Sequence, residues 1–343
     1  MLASGDPMFF GIGRALVEEV GQQSLRIVPH PSAISLACAR LGWMVEDIEV
    51  VSLVGRPLAS LILSLHPNRR VLVLSNDATT PGAVAKLLTD KGFGGSTVTV
   101  LDKLGAPGET RRSGIAETWG AAFSDLGDPL NVVAVECLLG GGGHRLGLTP
   151  GLADSAYEDD GQLTKREVRA VTLSSLAPSQ GELLWDIGGG AGSIAVEWMR
   201  VHRSCRAIAI ESDNERAARI VRNAEALGVP GLLTVVGRAP GVLAQLPTPD
   251  AIFIGGGLTA DGMLDTAWEA LRPGGRLVAN TVTLQSEALL TQWYSRHGGE
   301  LIRIATSRAR PVGDFTGWQP AMPVTQWSVI KAAGDAGPQG SLC

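Results

Sequence analysis

Cysteine, histidine and aromatic residues are sparse in this chain of 343 residues, which has four cysteines, five histidines and 5% aromatic content. Cys38, Cys137, Cys205 and Cys343 stand far apart, with no Cys-x-x-Cys pair and no histidine cluster beside them. That spacing excludes the usual zinc ligand sets and reads as reduced thiols without a metal site. His30, His66, His144, His202 and His297 are equally scattered and read as surface or loop residues. Runs of like charge are missing too. The 29 basic and 34 acidic residues leave a formal charge of −5, and no lysine-arginine stripe offers a nucleic-acid footprint. Long apolar runs are absent as well: residues 50 to 65 form the longest, and Arg56-Pro57 interrupts it below bilayer-spanning length. The start lacks a basic stretch and carries Asp6 within its apolar segment, unlike a secretory leader. A cytoplasmic location follows, with neither nucleic acid nor membrane as partner.

The chain is long enough, and at 45% apolar content rich enough, for two domains with substantial cores. Its most informative stretch is Trp185-Asp186-Ile187-Gly188-Gly189-Gly190-Ala191-Gly192, an apolar strand entering a glycine-rich turn before a helix over about 193 to 201. Glycines there let a ligand lie directly on the main chain, and the helix points its first amides at the turn. Glu211 ends the next apolar strand, roughly 20 residues beyond the last glycine, where an acid accepts hydrogen bonds from ribose hydroxyls. A glycine turn alone is weak evidence, because any α/β protein uses one. The continuation is more telling: Leu233-Thr234-Val235-Val236 and Ala251-Ile252-Phe253-Ile254 read as short buried strands, and Leu271-Arg272-Pro273-Gly274-Gly275-Arg276-Leu277-Val278 as a helix end, a turn and a fifth strand. The spacing is Gly-x-Gly-x-Gly after an aspartate, not the Gly-x-Gly-x-x-Gly of NAD enzymes, which favours S-adenosylmethionine. Residues 301 to 306 and 325 to 331, separated by a Pro- and Gly-rich stretch, suit two antiparallel edge strands closing the sheet.

Several separated motifs agree with one family. Thr164-Lys165-Arg166-Glu167-Val168-Arg169, Leu184-Trp185-Asp186-Ile187-Gly188, Gly237-Arg238-Ala239-Pro240, Phe253-Ile254-Gly255-Gly256-Gly257 and Ala279-Asn280-Thr281-Val282-Thr283-Leu284 resemble, over about 160 to 331, the C-terminal module of the precorrin-6Y C5,15-methyltransferases (decarboxylating). At the front, Leu2-Ala3-Ser4-Gly5-Asp6-Pro7-Met8-Phe9-Phe10-Gly11-Ile12-Gly13, Ser75-Asn76-Asp77-Ala78-Thr79-Thr80-Pro81 and Asp128-Pro129-Leu130-Asn131-Val132-Val133 are similar to the tetrapyrrole methylases that the bifunctional family fuses to it. The residues alone allow a plainer reading of the front loop, with Asp6 capping a helix that begins at Pro7. In the family a strand, a glycine-rich loop and a helix precede that signature, so roughly 60 to 70 residues of a module of common size are expected upstream of Met1, and a misplaced start is the preferred explanation.

The resemblance implies an α/β protein of two modules: a partial tetrapyrrole-methylase fold over 1–152, a linker over 153–162, a class I (Rossmann-like) methyltransferase sheet with antiparallel terminal strands over 163–331, and a disordered tail over 332–343. It implies S-adenosylmethionine as cofactor, held by Thr164, Gly188, Gly189, Gly190, Ala191, Gly192, Glu211 and Ala239, and in the front module by Ser4, Gly5, Asp6 and Pro7. Arg238 stands where many methyltransferases place an acid for the adenine, so backbone groups near Ala239 are expected to read that base. The implied reaction is methylation of a corrin precursor (precorrin-6B/6Y) at C15 with decarboxylation of the C12 acetate, and C5 methylation by the front module if complete, giving precorrin-8. A substrate with many carboxylates makes Arg166, Arg169, Arg308 and Arg310 candidate clamps, although a solvated face or surface ion pair explains each singly. Asn280 and Thr281, taken to lie just after the fifth strand, are candidate substrate contacts. No catalytic residue is singled out, since the substrate supplies the carbon nucleophile and the enzyme mainly orients it. A homo-oligomer is expected. Another class I methyltransferase of a small molecule, RNA or protein, with the front module as a noncatalytic assembly domain, is the alternative.

Overall fold

The computed structural model describes residues 5–123, 126–141, 143 and 145–332, and the chain divides into compact units at Leu146 and Gly147. The tail expected over 332–343 lies, after residue 332, outside the described residues, as do Ser4 and Cys343. Among the described residues no helix is long and apolar enough to cross a membrane.

In the first unit the chain runs α1 (Gly13–Val20), α2 (Ala33–Leu41), β1 (Ile48–Ser52), β2 (Arg70–Leu74), α3 (Thr80–Asp90), β3 (Thr97–Asp102), β4 (Thr110–Ile115), a one-turn α4 (Trp119–Ala122) and β5 (Asn131–Glu136). The five strands lie in the order β1-β2-β5-β3-β4; β1 and β2 are parallel, and the remaining pairs are antiparallel. Strand side chains alternate between faces. Accordingly Val71, Val73, Val98, Val100, Val133 and Val135 pack with Val84, Ala85 and Leu88 of α3, whereas Leu72, Leu101, Val132 and Ala134 pack with Ile34, Ala37 and Cys38 of α2.

The second unit contains α5 (Arg166–Leu176), β6 (Leu183–Ile187), α6 (Ser193–Val201), β7 (Arg206–Glu211), α7 (Asn214–Ala226), β8 (Leu233–Val236), β9 (Ala251–Ile254), α8 (Met263–Ala270), β10 (Arg276–Thr281), α9 (Leu284–His297), β11 (Glu300–Ile304), β12 (Ser307–Val312), β13 (Phe315–Pro320) and β14 (Val324–Ile330). Seven strands form the sheet β11-β14-β10-β9-β6-β7-β8. Strands β6 and β9 are buried at every position, as expected of central parallel strands covered on both faces. One face, through Trp185, Ile187, Ile208, Ile210, Ile252, Leu277 and Ala279, packs on Met263, Leu264 and Trp268 of α8 and Leu290 and Trp293 of α9. The other meets α5, α6 and α7. Side-chain capping starts two helices: Asp213 accepts from the amides of Glu215 and Arg216 at α7, and Thr283 accepts from Ser286 at α9.

Several features complete or differ from the sequence reading. The terminal strands β11 and β14 form the expected antiparallel pair at the sheet edge, but in an order the sequence reading left open: β14 inserts between β10 and β11, antiparallel to both, which leaves β11 outermost. The Pro- and Gly-rich stretch between them folds as a separate hairpin, β12 with β13. Pro311, Pro320 and Gly317 read as breakers, but a two-stranded ribbon has a free edge on each side and tolerates a missing amide donor. The stretch 153–162, expected as a flexible linker, is pinned to the second unit. Tyr157 is buried there, and its hydroxyl donates to Glu197.

Candidate functional site

The strand order of the second unit reverses between β6 and β9, since β6 lies beside β7 on one side and β9 on the other. Open α/β sheets leave a crevice at the carboxyl ends of the strands at such a point. Gly188 follows β6 there with φ +76°, and a Cβ on it would stand 2.8 Å from the Gly256 amide nitrogen. Gly190 has φ +58°, and a Cβ on it would stand 2.6 Å from the carbonyl oxygen of Gln162. The turn is therefore pressed between the loop after β9 and the segment before α5, with no room for side chains.

Charge is placed beside this turn by the strands themselves. Glu211, the last residue of β7 and buried, accepts the Gly190 amide at 2.9 Å through Oε2 and the Asp213 amide at 3.0 Å through Oε1. Oε1 also accepts the Ser212 hydroxyl at 3.4 Å, which leaves the second lone pair of Oε2 for a further donor. Asp186 of β6 points to the α6 face. Its Oδ2 accepts the Ala195 amide at 3.1 Å, and it does so where the helix N-cap, Gly192, has no side chain of its own. Burial pushes the Asp186 carboxyl up to about 7, with the neighbouring Glu211 charge acting in the same direction. Asp186 was not among the candidate site residues. Its signal was present in the sequence, as the acid preceding the glycines.

The structure brings Gly188 to Gly192 and Glu211 together; Thr164 lies in the segment before α5, where its carbonyl accepts a hydrogen bond from Arg169, and it is the Gln162 carbonyl of that segment that abuts Gly190. Ala239 is buried in the same apolar cluster as Ile187, Ile210 and Leu243. Arg238 beside it is exposed.

Four of the six expected substrate contacts are otherwise engaged. Arg169, expected as a carboxylate clamp, is fully buried: its Nε donates to Glu197 Oε1 at 2.6 Å, its other nitrogens reach Asp154 and the carbonyls of Leu152 and Thr164, and its guanidinium lies over the Tyr157 ring. A guanidinium with every face occupied cannot receive a ligand. Arg308 is paired with Glu167 and Asp154. Asn280 and Thr281 are the last two residues of β10 rather than a loop after it. Asn280 donates to the Thr172 hydroxyl at 2.8 Å and accepts from Gln326 Nε2 at 2.8 Å, while the Thr281 hydroxyl accepts the Thr283 amide. Arg166, in the first turn of α5, and Arg310, on the hairpin, remain exposed.

In the first unit Asp6 Oδ1 accepts the Met8 and Phe9 amides at 2.8 and 3.2 Å. The carboxylate thus organises a turn, and the helix begins only at Gly13 rather than at Pro7. Asp77 Oδ1 likewise accepts the Thr79 amide and hydroxyl, which hold its carboxyl below the usual range. A cleft of about 450 Å³ lies between residues 53–58 and 76–83, lined by Arg56, Asn76 and Asp77 among others.

Comparison with known proteins follows this division. Residues 155–331 match a family described as the precorrin methyltransferase domain, and residues 1–118 match the tetrapyrrole (corrin/porphyrin) methylases. The chain is 54% identical over 331 residues to a precorrin-6Y C(5,15)-methyltransferase [decarboxylating] of Sinorhizobium sp, covering 96% of this chain and 79% of that protein. It is 46% identical to the protein of the same name from Mycobacterium tuberculosis (strain ATCC 25618 / H37Rv), over 96% of this chain and 82% of the relative. Among solved structures, the C-terminal domain of precorrin-6Y C5,15-methyltransferase from Rhodobacter capsulatus aligns with a TM-score of 0.52 at 49% identity, covering 54% of this chain and all of that domain.

Proposed function

The chain belongs to the precorrin-6Y C5,15-methyltransferase (decarboxylating) family, and on that basis we propose that it methylates a corrin precursor from S-adenosylmethionine. In this reading the second unit methylates C15 and removes the C12 acetate carboxyl as carbon dioxide, and the first unit methylates C5, giving precorrin-8. The observation that carries it is the pairing of a turn at 188–192 that has glycine at four of its five positions with the Glu211 carboxylate 2.9 Å from the Gly190 amide. A nucleoside fits that combination: open main chain for close approach and a fixed acceptor for ribose hydroxyls. The bound cofactor supplies an activated methyl group. The chain's own part is to hold the cofactor, through Gly188 to Gly192, Thr164, Glu211 and the buried wall around Ala239, and to orient against it a macrocycle whose conjugated system provides the carbon nucleophile. Gly5, Asp6 and Pro7 are proposed to serve the cofactor in the first unit, with Ser4 outside the described residues. With Arg169 and Arg308 engaged, Arg166 and Arg310 are the cations of the expected set left to meet substrate carboxylates.

Incubation with precorrin-6B and isotopically labelled cofactor, counting methyl groups and released carbon dioxide, tests the reading. Two methyls and one carbon dioxide per macrocycle support the whole reading, one methyl with one carbon dioxide supports the C15 step alone, and no incorporation rejects it. Equal transfer to RNA would favour the alternative class of acceptor. The reaction is proposed to be cytoplasmic, in keeping with Cys38, Cys137 and Cys205 being free and buried. We also propose that the chain forms a homo-oligomer through the β12–β13 hairpin, where Phe315 and Trp318 are 81% and 77% exposed.

A further inference from the structure

The segment from Gly151 to Thr164 runs across the glycine turn, and buried side chains of α6 and α7 fasten it. Near its start, Glu197 of α6 accepts the amides of Gly151 and Leu152 and the Tyr157 hydroxyl, its charge balanced by Arg169. At its middle, Asn223 of α7 is 3% exposed and makes three hydrogen bonds of 2.9 Å. Its Oδ1 accepts the Glu158 amide, and its Nδ2 donates both to the Glu158 carbonyl and to the Ala191 carbonyl. One carboxamide thus ties the segment to the turn itself. Further along, Asp160 pairs with Arg216 and Arg219 of α7, and the Gln162 carbonyl lies where a Cβ on Gly190 would fall.

We propose that Asn223 is a positioning residue for cofactor binding: by bolting residues 151–164 to the Ala191 carbonyl it keeps the Gln162 end of that segment over the turn as the second wall of the cofactor site. The inference rests on the reading that this turn binds S-adenosylmethionine. Among the residues assigned to the cofactor Asn223 bonds only the Ala191 carbonyl, so its effect passes through that carbonyl and the segment it ties there. A carboxamide is required because one residue must both donate and accept at the same place. In Asn223→Asp the two donors are lost and a carboxylate faces two carbonyl oxygens. In Asn223→Ala three backbone groups lose their partner, the buried Ala191 carbonyl among them.

The test uses the full chain, with calorimetric titration of S-adenosylhomocysteine, steady-state turnover of precorrin-6B, and amide hydrogen exchange. Lys331→Met serves as a control, because Lys331 caps the carbonyls of Trp268 and Leu271 at the far end of the same unit, away from the turn. The expected result for N223A and N223D is a rise of about tenfold in Kd and in the KM for cofactor, kcat within about twofold, and faster exchange confined to 151–164 and the turn. The control is expected to lower the melting temperature without moving that KM. The inference is overturned if Asn223 variants bind as the wild type does, if exchange over 151–164 is unchanged, or if the control raises the KM as much. A wild-type chain that does not bind the cofactor at all removes the underlying reading as well, which separates the two failures.

Discussion

A single methyl group at Gly190 would meet the carbonyl oxygen of Gln162 at 2.6 Å and would also have to adopt φ +58°. Gly190→Ala is therefore expected to cost about 1–2 kcal/mol of stability and to abolish cofactor binding, checked by urea unfolding and calorimetric titration. Glu211→Ala removes the acceptor beside the turn and leaves the Gly190 amide without its partner, so affinity for S-adenosylhomocysteine should fall by about 1.5–3 kcal/mol. Asp186 gives a pH signature. Its folded carboxyl titrates near 7, above the ordinary 3.8, so the unfolded chain ionises first and the native state holds the extra proton between those values. This group's contribution to stability is full at low pH, declines as pH rises from about 4 to 7, and is flat above that; the total span is on the order of 4 kcal/mol. Asp186→Asn keeps an acceptor for the Ala195 amide without the charge. It should lose less stability than wild type between pH 5 and pH 8 in urea midpoints, and an equal loss in both proteins would refute the assignment.

Elements carry what single residues cannot. The hairpin of β12 and β13 stands outside the seven-stranded sheet and exposes Val312, Phe315, Trp318 and the adjoining Met322. An apolar ribbon of this kind is an association surface or an aggregation hazard. Replacing Phe315 and Trp318 by serine is expected to shift light-scattering mass from oligomer to monomer, with little change in far-ultraviolet circular dichroism. A wild-type protein already monomeric at micromolar concentration would end that proposal. In the sheet itself, Asn280, Gln326, Thr172 and Ser175 form one hydrogen-bonded chain linking β10 and β14 to α5. That chain explains why a residue at the carboxyl end of β10 turned inward. Even-numbered residues of β10 face α5, and a buried amide there needs partners more than a ligand.

At the scale of the whole molecule, the two units have separate cores, and tryptophan distribution distinguishes them: Trp43 and Trp119 lie in the first, and the other six of the chain's eight lie in the second. Tryptophan fluorescence should therefore report mainly the unfolding of the second unit. Saturating S-adenosylhomocysteine at about 100 times its Kd is expected to stabilise that transition by about 2.7 kcal/mol. A fluorescence transition that does not respond to the ligand would place the binding site elsewhere.

Much of this was legible in the linear string, because the features concerned are local. The strands at 183–187, 206–211, 233–236 and 251–254 are short apolar runs, and the glycine turn with its distant acid is a spacing that only a strand, turn and helix can use. The insertion of β14 between β10 and β11 was not legible, since strand order depends on which edge a returning chain meets. Nor was the fate of the arginines. Arg169 and Arg166 have the same charge three residues apart, and the helix turn alone sends one into a cage of Glu197, Asp154 and Tyr157 and the other to solvent. Asn223 looked like any polar residue of an amphipathic helix; only the fold sets it between Glu158 and Ala191, 65 and 32 residues away along the chain. The sequence determined which segments can approach a ligand, because backbone conformation and side-chain volume are local properties. The tertiary structure decided which polar groups are free to do so, because a hydrogen-bond partner distant in sequence is found only when the chain has closed.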